Sequence, residues 1–301
     1  MITSLSSTPP VISILYPQDW EDFELLDSGN GQKLERYGNY QFIRPAPQAV
    51  WKPALEEKFW QTSQGIFQPT GQESGGVWKF NQPLRENPWK MSYKGLKFQA
   101  FAGGSRHMGV FPEQAVHWDW IKDNLAQNKK PVHVLNLFGY TGLATLSAAS
   151  AGAQVTHVDA SKKSISLARS NQELSKLEKS PIRWIVDDAI KFLRREVRRG
   201  NRYEGIILDP PKFGRGPKGE VWEFFELFSV LMQECINVLS TNPLFIVVTA
   251  YAIQASSLSL YYALENALKN LGGQISAGEL ALKEKSAGRL LSLAIYARWK
   301  S

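Results

Sequence analysis

One stretch limits the fold of this 301-residue chain more than any other: Val132 to Gly142, reading VHVLNLFGYTG. A short apolar run, VHVLNL, stops at a turn, which is how a strand buried on both faces of a sheet reads. Gly139 and Gly142 follow with Thr141 between them. After them LATLSAASAG supplies the small and apolar residues of a helix lying close on a sheet. Strand, glycine turn and helix make the opening unit of a Rossmann-like sheet, whose ligands bind at the carboxyl ends of the strands. Glycines at such a turn let a ligand approach the backbone and the first helical N–H groups. The dinucleotide fingerprint G-x-G-x-x-G is absent, and only Gly139-x-x-Gly142 stands. Alone, the stretch fits either a nucleotide-like cofactor or an ordinary strand–helix turn.

A β/α alternation continues downstream. Gln154–Val158 reads as a second strand ending in Asp159, where an acid can take both ribose hydroxyls of a nucleoside cofactor. Ser161 suits the N-cap of a helix through Leu174. Ile182–Val186 is a third strand, followed by Asp187-Asp188-Ala189. A carboxylate there either accepts from an adenine amine or caps the next helix. Glu204–Leu208 is a fourth strand and runs into Asp209-Pro210-Pro211-Lys212-Phe213-Gly214, the most specific signal in the chain. The prolines stiffen the backbone, withhold N–H groups and fix the turn. Asp209 is then held at the strand's end beside carbonyls, a set of acceptors that can grip a planar group carrying N–H donors. Phe213 can stack on that group. A purely structural proline turn is the competing reading. Glu220–Leu239 reads as a helix, Leu244–Thr249 as a fifth strand ending at Ala250-Tyr251, and Ser256–Asn270 as another helix. Gln274–Lys283 and Leu290–Trp299 form two long strands around a turn at Ser286–Gly288. An antiparallel hairpin closing a parallel sheet is not the dehydrogenase plan.

Residues 1–105 differ in kind. Strand-like runs at Asp22–Asp27, Gln32–Tyr37, Tyr40–Arg44, Val77–Asn81, Trp89–Tyr93 and Leu96–Ala102 alternate with turn signals, Ser28-Gly29-Asn30-Gly31 being a good hairpin turn. The expected division is a small β-rich domain over 1–105 and an α/β domain over 106–301. The tryptophans of the first part read as its core rather than as platforms for bases. The loop Arg106–Gln114 leads through Pro112 into a helix reaching Leu125, which sets the loop near the cofactor cleft. His107 has no second metal ligand at workable spacing.

The net charge is +7, unevenly spread: Lys176 to Lys218 holds twelve Lys/Arg against six Asp/Glu. The helix Ala189–Arg199 sets Lys191, Arg194, Arg195, Arg198 and Arg199 opposite Ile190, Leu193 and Val197. That face either contacts phosphates or is simply solvated. One cysteine, Cys235, excludes an internal disulfide and points to a reducing compartment. No apolar run approaches the ~20 residues of a membrane helix. The early prolines make a poor signal peptide, so a soluble, cytoplasmic protein is expected.

Over residues 106–301 the chain resembles the class I S-adenosylmethionine-dependent methyltransferases. The glycine turn is similar to their motif I, Asp159 to the ribose acid, Asp188 to the adenine-side acid, and DPPK to their catalytic motif IV. NLFGYTG and DPPKFG resemble the large-subunit ribosomal RNA methyltransferase branch, which includes cytosine-carbon-5 and guanine-N7 enzymes. Pro112-Glu113 stands where that branch has Leu-Asp before its glutamine, and Asn136 where motif I normally has an acid. The resemblance implies a Rossmann-like seven-stranded sheet with a terminal antiparallel hairpin, beside the β-rich N-terminal domain. It implies cofactor contacts at Gln114, Asn136, Phe138, Gly139, Thr141 and Gly142, and at Asp159, Ala160, Asp188 and Ala189. Asp209, Pro210, Pro211 and Lys212 would be catalytic. Phe213, Tyr251, Arg194, Arg195 and Arg198 would meet the acceptor.

The reaction expected is methyl transfer from S-adenosylmethionine to a base nitrogen in RNA, without a metal. Carbon-5 chemistry needs a cysteine thiolate. The two positions that would supply it hold Lys212 and Thr249-Ala250-Tyr251, and Cys235 reads as core. A protein side-chain amide or a small molecule is the alternative acceptor. A non-enzymatic RNA-binding protein is disfavoured by the intact acids, and an NAD(P) oxidoreductase by the missing fingerprint.

Overall fold

The computed structural model describes residues 9–70, 75–128 and 130–301. After β1 (Ile12–Leu15), a five-stranded sheet is built from β2 (Phe23–Gly29), β3 (Gln32–Tyr37), β4 (Tyr40–Pro45), β5 (Gly65–Pro69) and β6 (Gly76–Phe80), in that spatial order. α1 (Glu57–Gln61) lies between β4 and β5. A separate hairpin, β7 (Trp89–Tyr93) with β8 (Leu96–Ala100), follows.

The remainder alternates. A short turn, Pro112–Gln114, opens into α2 (Ala115–Ala126). Then come β9 (His133–Leu137), α3 (Leu143–Ser150), β10 (Gln154–Asp159), α4 (Lys162–Leu174), β11 (Ile182–Val186), α5 (Ala189–Arg199) and β12 (Gly205–Leu208). β13 (Phe213–Arg215) pairs with β14 (Val221–Glu223) before α6 (Phe224–Val238), β15 (Phe245–Ala250), α7 (Ser257–Leu268), β16 (Gln274–Lys283) and β17 (Leu290–Lys300). The large sheet runs β1-β16-β17-β15-β12-β9-β10-β11. β17 is antiparallel to both neighbours, and the pairs from β15 to β11 are parallel.

The expected sheet is there with one strand more. The sequence predicts seven strands; the eighth is β1, parallel to β16 with Ile12 opposite Ala277. It comes from residues expected in the N-terminal domain. An edge strand whose Ile12 and Ile14 stay exposed has no buried-strand signature to find. β5 was also missed, and the helix expected from Glu220 begins only at Phe224, because Val221–Glu223 pair with β13.

β9 shows why the sheet is sandwiched. Leu135 and Leu137 pack with Leu193, Leu208 and Leu231 on one face, and Val134 packs with Ile121, Leu125 and Ala148 on the other. A third core joins Trp20, Phe42, Trp89 and Phe98 to Trp118, Leu143 and Leu146, and also to Leu282 and Leu291. Trp20 lies 4.5 Å from Tyr93 and 5.9 Å from Trp118, ring centre to ring centre. The tryptophans of the first part pack in or against buried cores, as the sequence reading expects. No helix among the described residues is long and apolar enough to cross a membrane.

Candidate active site

At the carboxyl end of β9 the backbone turns through Phe138 (φ 58°), Gly139, Tyr140 (φ 50°) and Gly142 (φ 86°). Left-handed conformations at Phe138 and Tyr140 cost about 1–2 kcal/mol each, so neighbours must hold the turn. Gly139 N–H donates to Val158 O at 3.1 Å, and Tyr140 N–H to Asp159 Oδ2 at 2.9 Å. Thr141 Oγ1 donates to Gly109 O at 2.7 Å, and Asn171 Nδ2 to Thr141 O at 3.0 Å. A Cβ on Gly139 would collide with the His157 ring. Asn136 Nδ2 donates to Thr145 Oγ1 at 2.9 Å, and that hydroxyl meets His157 Nδ1 at 2.9 Å. Asn136 and Thr141 are predicted from sequence as cofactor contacts; the structure uses their side chains to brace the turn.

In front of the turn lies a cleft of ≈ 770 Å³, bounded by the carboxyl ends of the strands and by β3, β4 and the 106–113 loop. It is large enough for a nucleoside cofactor. Asp159, Ala160, Asp188, Ala189 and Asp209 all line it. Asp159 accepts from Ser161 N–H at 2.8 Å through Oδ1, leaving lone pairs for two hydroxyls. Burial raises its pKa. Asp188 is the N-cap of α5, accepting from Lys191 N–H at 2.9 Å. The cap reading of this residue therefore holds; its second carboxylate oxygen is not needed for that bond.

Asp209 accepts from Gln114 Nε2 at 2.9 Å. Gln114 is thus spent on orienting Asp209, with Thr249 Oγ1 a further 3.5 Å contact. Burial pushes the Asp209 carboxyl up to about 8, with Glu113 and Asp159 adding repulsion. Of the two carbonyls in the proline turn, that of Pro211 accepts from Trp222 Nε1 at 2.6 Å. Only the Pro210 carbonyl keeps both lone pairs among the described residues. Trp222, whose ring lies 5.2 Å from Phe138, thereby clamps the proline turn to the glycine turn. Lys212 lines the cleft, and Phe213 stands on β13 with half its surface exposed.

The opposite wall is aromatic and charged. Phe111 lies 5.1 Å from Tyr251 and 5.7 Å from Tyr140. The Tyr251 hydroxyl is buried beside Glu113 without a partner in hydrogen-bonding geometry. Glu113, which burial holds above the usual carboxylate range, was not predicted as a site residue. Neither were Lys33 and Arg44 of the N-terminal sheet, which also line the cleft. Only the topology brings them there. The helix face expected to meet the acceptor is largely self-neutralised. Arg194 pairs with Glu234 at 2.7 Å, Arg195 with Asp187, Arg199 with Glu196 at 3.0 Å and Lys191 with Glu220 at 2.6 Å. Arg198 is exposed and has no ion pair among the described residues. No group of three His, Cys, Asp or Glu side chains able to hold a metal gathers among them.

The chain is 44% identical to a SAM-dependent methyltransferase from Agrobacterium tumefaciens whose structure superimposes with a TM-score of 0.92, covering 98% of this chain and 97% of that one. A putative methyltransferase solved with SAH, 18% identical, shares the fold at a TM-score of 0.71 over 92% of this chain and 75% of its own. Ribosomal RNA large subunit methyltransferase I of Escherichia coli is 43% identical over 88 residues, 29% of this chain and 22% of the relative. The match thus spans about a fifth of the length of that relative. The model of the S-adenosylmethionine-dependent methyltransferase family matches residues 58–282. With most of the chain inside that match, and the acids standing at the strand ends in the order the fold requires, this protein belongs to the S-adenosylmethionine-dependent methyltransferase family.

Proposed function

We propose that this methyltransferase acts on a nitrogen of a base in RNA. The observation that carries the reading is Asp209: a carboxylate oriented by Gln114, beside the Pro210 carbonyl, in a stretch of the cleft wall that can present acceptors to a planar N–H-bearing group. Its burial makes it sensitive to what it meets, since an unpaired carboxylate there is costly and one accepting N–H bonds is not.

The residues present suit the cofactor. Asp159 has spare lone pairs for ribose hydroxyls, Asp188 a spare oxygen for the adenine amine, and Ala160 and Ala189 leave room for the ring. Phe138 and Tyr140 line the cleft at the turn. Bound S-adenosylmethionine supplies an electrophilic methyl group, and displacement at it needs alignment more than proton transfer. The protein's work is then to hold the acceptor. Asp209 and the Pro210 carbonyl grip its edge, while Phe213 or Tyr251 covers its face, with Lys212 at the rim. A base in structured RNA has first to be unstacked, at a cost of a few kcal/mol.

RNA as the acceptor is supported by the name of the Escherichia coli relative and by the basic excess between Lys176 and Lys218. Action in the cytoplasm is the reading that such a substrate and the single, unpaired cysteine support. Mass spectrometry of ribosomal RNA nucleosides from a deletion strain and its complemented control tests the proposal. One N-methylated nucleoside should disappear on deletion and return on complementation. An unchanged nucleoside profile, with a ribosomal protein or small molecule losing its methyl group instead, would move the acceptor to the protein or small-molecule class.

A further inference from the structure

The N-terminal β sheet brings into the cleft a cation that the site described above does not use. Lys33 on β3 is 7% exposed and yet lines the cleft. Its ammonium has three N–H donors and one ion partner among the described residues, Glu35 at 3.0 Å. That carboxylate is already held by Arg44, through Nε at 2.7 Å and Nη2 at 2.9 Å. Arg44 also donates to the Arg106 carbonyl at 2.7 Å, which fixes the sheet against the 106–113 loop. Lys33 therefore keeps donors to spare in a place where burial and the Arg44 charge lower its pKa, against the favourable pull of the Glu35 and Glu113 carboxylates. A buried ammonium with unfilled donors at a ligand cleft calls for an anion.

The strand order indicates which one. Asp188 follows β11, Asp159 ends β10, the glycine turn follows β9 and Asp209 follows β12, on neighbouring strands about 4.8 Å apart. A nucleoside with its base at Asp188 and its ribose at Asp159 points its sulfur arm towards β9 and β12. The next side chains in that direction are Gln114, hydrogen-bonded to Asp209, and Glu113 beside it. Lys33 faces Glu113. S-adenosylmethionine ends in an amino acid, with an ammonium and a carboxylate on one carbon. Glu113 and Lys33 are a pair of opposite charges that matches it.

We propose that Lys33, delivered by the N-terminal sheet, binds the α-carboxylate of S-adenosylmethionine while Glu113 takes its α-ammonium; this rests on the adenosine end lying at Asp159 and Asp188. The β-rich part of the chain is then a wall of the cofactor site as well as a neighbour of it. Arg44 neutralises Glu35 and so leaves Lys33 free to serve the ligand.

Calorimetry with two probes tests this: S-adenosylhomocysteine, and 5′-methylthioadenosine, which keeps the adenosine and sulfur and lacks the amino acid. Lys33→Met should weaken S-adenosylhomocysteine by about tenfold or more, the loss of a charge-assisted bond, and leave 5′-methylthioadenosine within about twofold. Lys33→Gln provides the same readout should the methionine variant fail to fold, and Glu113→Gln should show the same selectivity. Equal losses for both probes, or an unchanged S-adenosylhomocysteine affinity, would overturn the assignment. So would a Lys33→Met protein that keeps S-adenosylhomocysteine affinity and loses affinity for a labelled ribosomal RNA fragment, because the anion would then be a phosphate. Asp159→Ala should weaken both probes alike. If it spares both while Lys33→Met keeps its selective effect, the adenosine placement fails and the Lys33 assignment stands.

Discussion

Asp209 is a residue on which environment acts strongly. Burial and the nearby Glu113 and Asp159 carboxyls push it up to about 8. Its folded pKa thus lies above the unfolded value, so the stability it lends is complete below pH about 4 and is lost as pH rises through about 8. Asp209→Asn should therefore stabilise the fold at pH 8 by on the order of 1 kcal/mol after screening by water in the open cleft, read as a higher melting temperature, and change stability little at pH 4. The wild-type protein should show a rise in kcat/KM between pH 7 and 9 as its carboxylate becomes available to N–H donors, and the same variant should remove it. A wild-type profile flat across that range would show that Asp209 does not meet the acceptor in its ionised form. Cys235 is the contrasting residue. It is fully buried in α6, and burial pushes its thiol far above the ordinary range. A thiol so placed is no nucleophile. Cys235→Ala should keep methyl transfer at wild-type rate with a stability loss of about 1 kcal/mol. A folded, inactive Cys235→Ala protein, or 5-methylcytidine as product, would contradict the nitrogen assignment.

At the scale of elements, the sequence was most legible where one periodicity spoke without competition. The buried strands β9, β12 and β15 and the long strands β16 and β17 carry continuous apolar or alternating patterns, and each was predicted within a residue or two. β1, β5 and the β13–β14 pair are short, partly exposed and held by tertiary partners, so local pattern had nothing to report. The same limit applies to the site. Asp159, Asp188 and Asp209 were found because each ends or follows a recognisable strand. Lys33 was not, because only the packing of a distant sheet brings it to the cleft; Glu113 and Trp222 lie near predicted site residues, but no local pattern gave their side chains a role. α5 shows the limit of reading charge from spacing. Its basic face exists, but carboxylates on neighbouring turns and on α6 occupy most of it. Surface pairs of this kind contribute little stability, yet they cancel much of the field an RNA would feel. Arg198→Glu should therefore give the clearest effect on RNA, lowering the salt slope of binding by about 1 while stability changes by no more than about 0.5 kcal/mol. An unchanged slope at low salt would make α5 a solvated face.

At the scale of the molecule, the two parts of the chain are fastened together by two separate sets of ties. The β16–β17 turn is sewn to β2: Lys285 N–H donates to Leu25 O at 2.8 Å, Ser286 Oγ to Asp27 Oδ1 at 2.7 Å, and Arg289 Nη2 to Ser28 O at 3.3 Å, while Ser28 Oγ donates to buried Glu284. β1 crosses to the far edge of the large sheet, where Ser13 and Tyr296 hydroxyls meet at 2.6 Å. Between these ties, one apolar core runs from Trp20 and Phe98 through Trp118 to Leu146 and Leu282. A boundary at residue 105 therefore cuts through a core rather than a linker, and linkers are where independent domains usually part. The chain should unfold in one cooperative transition, with tryptophan fluorescence and far-ultraviolet circular dichroism giving the same midpoint in urea. Trp118→Ala, at the centre of the shared core, should lower that stability by about 3–5 kcal/mol and keep the two probes coincident. Two separated transitions, with the tryptophan-rich part melting first, would mean that the β-rich part folds by itself. A wall of the cleft could then detach while the parallel sheet stayed intact.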